Sequence, residues 1–93
     1  MAMKAAEILV RGEVQGVGFR WFVHRKAMEA GVRGYVRNRT DGTVEIYAEA
    51  EGAALDALLA AVRVGPRAAH VDDVMIDWRQ PEGKYSHFEI SHD

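Results

Sequence analysis

The 93-residue chain contains no cysteine, and that absence removes several chemistries together. No disulfide can form, no thiolate can serve as nucleophile, and no Cys-ligated zinc site can be built. Serine is nearly as scarce. Ser86 and Ser91 are the only two, both near the C-terminus and neither inside the glycine-flanked turn that presents a hydrolase serine. An excess of positive charge is also missing: 12 Lys and Arg stand against 14 Asp and Glu, for a net charge of −2. No global basic field is therefore available to gather nucleic acid. No apolar run reaches the roughly 18 residues of a membrane-crossing helix, and residues 1–6 lack the apolar centre of a signal peptide. These absences lead us to expect a cytoplasmic chain with no membrane or nucleic-acid partner.

What is present suits one small domain, residues 1–93. Apolar residues make up 48% of the chain and charged residues 28%, ordinary proportions for a globular fold. Residues 4–12 alternate as a strand, with Ala6, Ile8 and Val10 on one side and Glu7, Leu9 and Arg11 on the other. Residues 19–30 carry Phe19, Phe22, Val23, Ala27 and Ala30 at helical spacing, and Gly31 stops them. Strands follow over 32–38 and 43–50, joined across Asp41-Gly42, a hairpin signal because glycine accepts positive φ. A second helix over 53–63 uses Leu55, Leu58, Leu59 and Val62, and Gly65-Pro66 ends it. Strands over 71–78 and 87–91 complete the chain, separated by a turn at residues 81–83. The order β-α-β-β-α-β with a short extra C-terminal strand predicts an α+β fold, a two-layer α/β sandwich of ferredoxin-like topology with a mostly antiparallel sheet. Both helices cover one face of that sheet, and the other face is expected to be wetter.

The stretch "GEVQGVGFR", Gly12 to Arg20, stands out. Gly16 and Gly18 flank Val17 just ahead of the first helix, where unpaired N–H groups and a partial positive charge favour an anion. Arg20 then adds a cation to a helix start, an unfavourable placement worth about 0.3–1 kcal/mol on exposed helices. It becomes sensible if a phosphate or carboxylate sits between the amides and the guanidinium fork. The competing interpretation is a tight βα turn beside a solvated arginine, and spacing alone does not choose between them. The known nucleotide motifs fail here: Trp21 stands where a dinucleotide fingerprint needs its third glycine, and no Lys-Ser or Lys-Thr closes a Walker loop.

Together with "GYVRN", Gly34 to Asn38, this stretch closely resembles the acylphosphatases, small enzymes that hydrolyse acyl phosphates. The resemblance extends over essentially the whole chain, through "DGTVEIYAEAEG", Gly65-Pro66 and the terminal "FEI". Tyr35 replaces a common tryptophan, a conservative departure. The resemblance implies a hydrolase that needs no metal, cofactor or covalent intermediate. It implies that Arg20 binds phosphate and that Asn38 orients the attacking water. The backbone amides of Gln15, Gly16, Val17, Gly18, Phe19 and Arg20 would cradle the phosphoryl group. Without it, Asn38 reads as a turn residue before the hairpin. The ferredoxin-like order runs the two chain halves side by side, which would let Asn38 meet the glycine loop.

Other candidates carry less. His24, one turn beyond Arg20, is within reach of the site's edge, but a partly exposed helix histidine is the preferred expectation. His70 and Asp72 share a strand face, too few ligands for a metal. Arg33, Arg37 and Arg39 are expected to face water, and Trp21 and Phe22 to pack. Three rivals share parts of the pattern: an RNA-recognition module of the same element order, a non-catalytic anion-binding domain, and the acylphosphatase-like part of carbamoyl-phosphate-handling maturation proteins. The first lacks basic charge and central stacking aromatics, and the second gives no reason for Asn38. The third needs further domains. A free-standing monomeric enzyme acting on a small-molecule acyl phosphate is preferred.

Overall fold

A computed structural model describes residues 2–92 of the chain. Its elements are β1 (Met3–Glu13), α1 (Phe19–Ala30), β2 (Arg33–Asn38), β3 (Val44–Glu51), α2 (Gly52–Val64), β4 (His70–Arg79) and β5 (Phe88–Ser91). Periodicity anticipates every one of them, and the ends differ by single residues. The sheet order is β4-β1-β3-β2-β5. All pairings are antiparallel except that of β2 with β5.

The core lies between the helices and one sheet face, as alternation requires. Ala6, Ile8 and Val10 of β1 are fully buried and stand opposite Ala48, Ile46 and Val44 of β3. The helices close over them with the predicted stripes, Phe19, Val23 and Ala27 from α1 and Leu55, Leu58, Leu59 and Val62 from α2. Phe22 packs against this cluster from its edge.

Topology decides where the glycine loop and Asn38 emerge. Strands β1 and β2 are not neighbours; β3 lies between them. Both run antiparallel to β3, so both end at the same edge of the sheet. The register is explicit: Val10 pairs with Val44, and Val44 pairs with Asn38. Two strand spacings, about 10 Å, therefore separate the backbone of Asn38 from that of β1. The loop leaving β1 must bridge that gap to meet the asparagine.

The outer sheet face departs from expectation. Alternation in β3 predicts Glu45, Tyr47 and Glu49 in water, yet all three are buried. Residues 82–85 fold back over Tyr47 and Glu49. The N–H groups of Glu82 and Gly83 donate to Glu49 Oε2 at 2.5 and 3.1 Å, and the Tyr47 hydroxyl donates to the same oxygen at 2.5 Å. The Tyr85 ring lies 5.4 Å from that of Tyr47 and 5.9 Å from that of Tyr35. Arg37 and Arg39, expected to face water, converge on Glu45 at 2.9 and 3.1 Å, and the Tyr35 hydroxyl donates to it as well. At β2 and β3, the face on which an RNA-recognition module displays its aromatics is thus covered by this chain's own tyrosines.

Burial opposes ionisation of Glu45, but the hydrogen bonds from Arg37 and Tyr35 and the nearby cations outweigh it, holding its carboxyl below the ordinary glutamate value. A depressed folded-state pKa contributes stability that is complete above the unfolded value of about 4.3 and is lost as pH falls through the folded one. The urea midpoint of the native protein should therefore fall more steeply below about pH 5 than that of Glu45→Gln; parallel pH curves would contradict the ion cluster's role.

Candidate active site

After Glu13 the chain leaves the sheet, buries Val14 and enters a loop whose shape is set by two positive dihedrals: φ is 74° at Gly16 and 79° at Gly18. A side chain in that left-handed region is strained whatever the space around it. Space is not the limit here, since a Cβ at either glycine would meet nothing within 4 Å. The ground above the loop is open to a ligand. Gly18 forms the N-cap of α1 with no side-chain cap, and the first helical turn carries no acidic residue. Among the described residues, nothing in the protein accepts a hydrogen bond from the N–H groups of residues 15–20. Such consecutive, unpaired amides at a helix start form a concave electropositive nest.

Arg20 and Asn38 border the same hollow. Together with Val14, Gly16, Gly18, Phe19 and Trp21 they line a cleft of about 100 Å³. The Arg20 guanidinium is steadied from the C-terminal end of β5: Nη1 donates to the Ser91 carbonyl at 3.3 Å and lies 3.2 Å from His92 Nδ1. Asn38 ends β2, and its Oδ1 is buried without a hydrogen-bond partner. An unsatisfied buried acceptor costs about 1–3 kcal/mol, so such atoms call for a reason. Sequence reasoning named Gly16, Gly18, Phe19, Arg20 and Asn38, and the fold gathers all five around one hollow. Gln15 and Val17 lie outside its lining.

Gln15 instead does something its sequence position does not disclose. Its side-chain Nε2 donates to the carbonyls of Arg39 at 2.8 Å and Thr43 at 2.9 Å. Those two residues close the β2–β3 hairpin through Arg39 N–H to Thr43 O at 2.9 Å. Asp41 braces the turn by accepting from the Thr43 N–H at 3.0 Å and the Thr43 hydroxyl at 2.6 Å. The carboxamide thereby bridges the gap across β3 and fastens the glycine loop to the hairpin that begins one residue after Asn38. Partners 24 and 28 positions away leave no local signal.

The remaining candidates resolve plainly. Trp21, expected to pack, is 70% exposed at the cleft, because the core-facing stripe of α1 passes through Phe19 and Val23. His24 sits between rings, 6.0 Å from Trp21 and 6.2 Å from Phe88. His70 and Asp72 form an exposed pair at 3.0 Å. Among the described residues no group of three or more metal-ligating side chains gathers, and no helix is long and apolar enough to cross a membrane.

A family model described as Acylphosphatase matches residues 6–90. The chain belongs to the acylphosphatase family. It is 48% identical over 90 residues to the acylphosphatase of Archaeoglobus fulgidus, covering 97% of this chain and 100% of that one. The crystal structure of the acylphosphatase from Bacillus subtilis superposes with a TM-score of 0.91 at 38% identity, covering 95% of this chain and 98% of that one. Full-length HypF in its phosphate- and nucleotide-bound form contains a related segment, with a TM-score of 0.86 at 26% identity. That match covers 99% of this chain but 12% of the HypF chain. Both acylphosphatase matches therefore span nearly the full length of the relative, whereas the HypF match corresponds to one part of a much larger protein.

If the Gln15 carboxamide fastens the loop to the hairpin, Gln15→Ala should lower stability by about 1–2 kcal/mol, from two hydrogen bonds of about 1 kcal/mol or less each plus partly solvated carbonyls. For a domain of this size that is a fall in Tm of roughly 4–16 °C by calorimetry. An unchanged Tm would show that the bridge carries no load.

Proposed function

We propose that this acylphosphatase hydrolyses acyl phosphates by direct attack of an oriented water, without a covalent enzyme intermediate. The reading rests chiefly on Asn38, which lines one cleft with Arg20 and the glycine loop and whose Oδ1 has no hydrogen-bond partner among the described residues. That oxygen accepts hydrogen bonds and is a poor base. It suits a group that holds a water by one hydrogen while the water oxygen faces phosphorus.

The chemistry asks for little more. Water oxygen attacks phosphorus, the bond to the acyl oxygen breaks, and its electron pair leaves on the carboxylate. The water proton passes to a phosphoryl oxygen of the substrate. A leaving carboxylate whose conjugate acid has a pKa of about 4 needs no protonation. Phosphoryl transfer of this kind passes through a loose transition state, so positioning and charge stabilisation supply most of the rate. The amides of residues 15–20 and the Arg20 guanidinium supply that stabilisation, both fixed before substrate arrives. Arg20 Nη1 is held by the end of β5, which leaves Nε and Nη2 to form the bidentate fork on phosphate. Neither metal nor cofactor has a step to perform in this scheme. The same proposal describes a cytoplasmic monomer acting on a small-molecule acyl phosphate, with no nucleic-acid or membrane partner.

Loss of benzoyl phosphate over time, followed with and without chelator, tests the scheme. Chelator should leave the rate unchanged. Asn38→Ala should lower kcat by about 10²-fold or more while inorganic phosphate still inhibits as before, since the residue positions water and not phosphate. Arg20→Gln should damage KM and kcat together. Wild-type rates in both variants would reject the site assignment.

A further inference from the structure

The cleft is small for a ligand site. Its volume of about 100 Å³ compares with the roughly 300–1,000 Å³ of pockets that enclose whole small molecules. The cleft has room for a compact group such as a phosphoryl with an attacking water, and not for a whole acyl phosphate. The acyl part of the substrate must then lie outside, at the mouth. Six large apolar side chains are exposed among the described residues: Met3, Trp21, Met28, Val64, Met75 and Trp78. Of these, Trp21 alone lines the cleft. Single exposed apolar residues need no explanation, so its exposure of 70% matters only because of where the indole stands.

Its setting adds a second reason. The Trp21 indole meets the His24 ring edge-on, with centroids 6.0 Å apart and planes at 78°. His24 in turn lies 6.2 Å from the ring of Phe88, which is 1% exposed. An exposed side chain is thus braced through a histidine against the core, and a rigid aromatic surface offers contact at low cost in conformational entropy. Arg20, the preceding residue, holds the phosphoryl end under the proposal above. A group attached to that phosphate leaves the cleft beside the indole.

We infer that Trp21 forms an acyl-group subsite, a flat apolar wall that favours acyl phosphates with aromatic or extended apolar acyl groups over acetyl phosphate. This inference rests on the acyl-phosphate reading and deepens it. Aromatic contact gives the benzoyl ring a partner that acetyl cannot use, because a methyl group barely reaches past the phosphoryl oxygens.

The test compares kcat/KM for benzoyl phosphate and acetyl phosphate in wild type, Trp21→Ala and Trp21→Phe. Trp21→Ala should reduce kcat/KM for benzoyl phosphate by up to about tenfold, ~1.4 kcal/mol of transition-state binding. Acetyl phosphate hydrolysis and inhibition by inorganic phosphate should stay within about twofold, and Trp21→Phe should restore most of the benzoyl preference. An equal fall for both substrates, or a benzoyl-to-acetyl ratio the same in all three proteins, overturns the subsite while the acyl-phosphate reading stands. Wild-type protein that hydrolyses neither substrate defeats both.

Discussion

Among the described residues, no protein acceptor takes a hydrogen bond from the N–H groups of residues 15–20, and much of the molecule is arranged around that fact. Two left-handed glycines, Gly16 and Gly18, turn the chain so that the amides stay open at the start of α1. In an ordinary helix a serine, threonine or aspartate would cap the first turn; here Gly18 stands at the cap and offers nothing. A capping side chain would occupy the amides that the site leaves free. The loss is tolerable because an anion can fill the same role, with Arg20 beside it.

The rest of the fold supplies distance and rigidity. The glycine loop and Asn38 belong to strands with β3 between them, and the shared register on β3 brings both to one edge of the sheet. The Gln15 carboxamide spans the remaining gap to the hairpin carbonyls. On the outer face, β3 is shut under residues 82–85 and the Glu45 ion cluster, so the strand that separates the two halves of the site is held from both sides. A central strand of that kind fixes the position of Asn38 relative to the loop, which the in-line attack proposed above requires.

Much of this is legible in the residues. Helical stripes and strand alternation locate every element because burial on one face imposes the period. The glycine pair before a helix leaves an anion nest and a plain tight turn both open, and it is the resemblance of the blocks at 12–20 and 34–38 to the acylphosphatases that pairs Arg20 with Asn38. What escapes notice depends on partners far along the chain. Gln15 looks like one more loop residue until the fold places Arg39 and Thr43 against it. Glu45, Tyr47 and Glu49 alternate like a solvated strand face, but residues 82–85 fold over Tyr47 and Glu49, and Tyr35, Arg37 and Arg39 gather on Glu45. Trp21 reads as core because tryptophan usually is; the phase of α1, fixed by Phe19 and Val23, turns it outward instead.

The most direct measurement is a titration of the isotopically labelled protein with orthophosphate, followed by amide resonances. The backbone N–H signals of residues 16–20 should move together and saturate at one equivalent, with the Asn38 side-chain signals perturbed alongside them. Saturable binding that leaves those loop amides unmoved would contradict the central claim that open main-chain N–H groups, assisted by one guanidinium, hold the phosphoryl group.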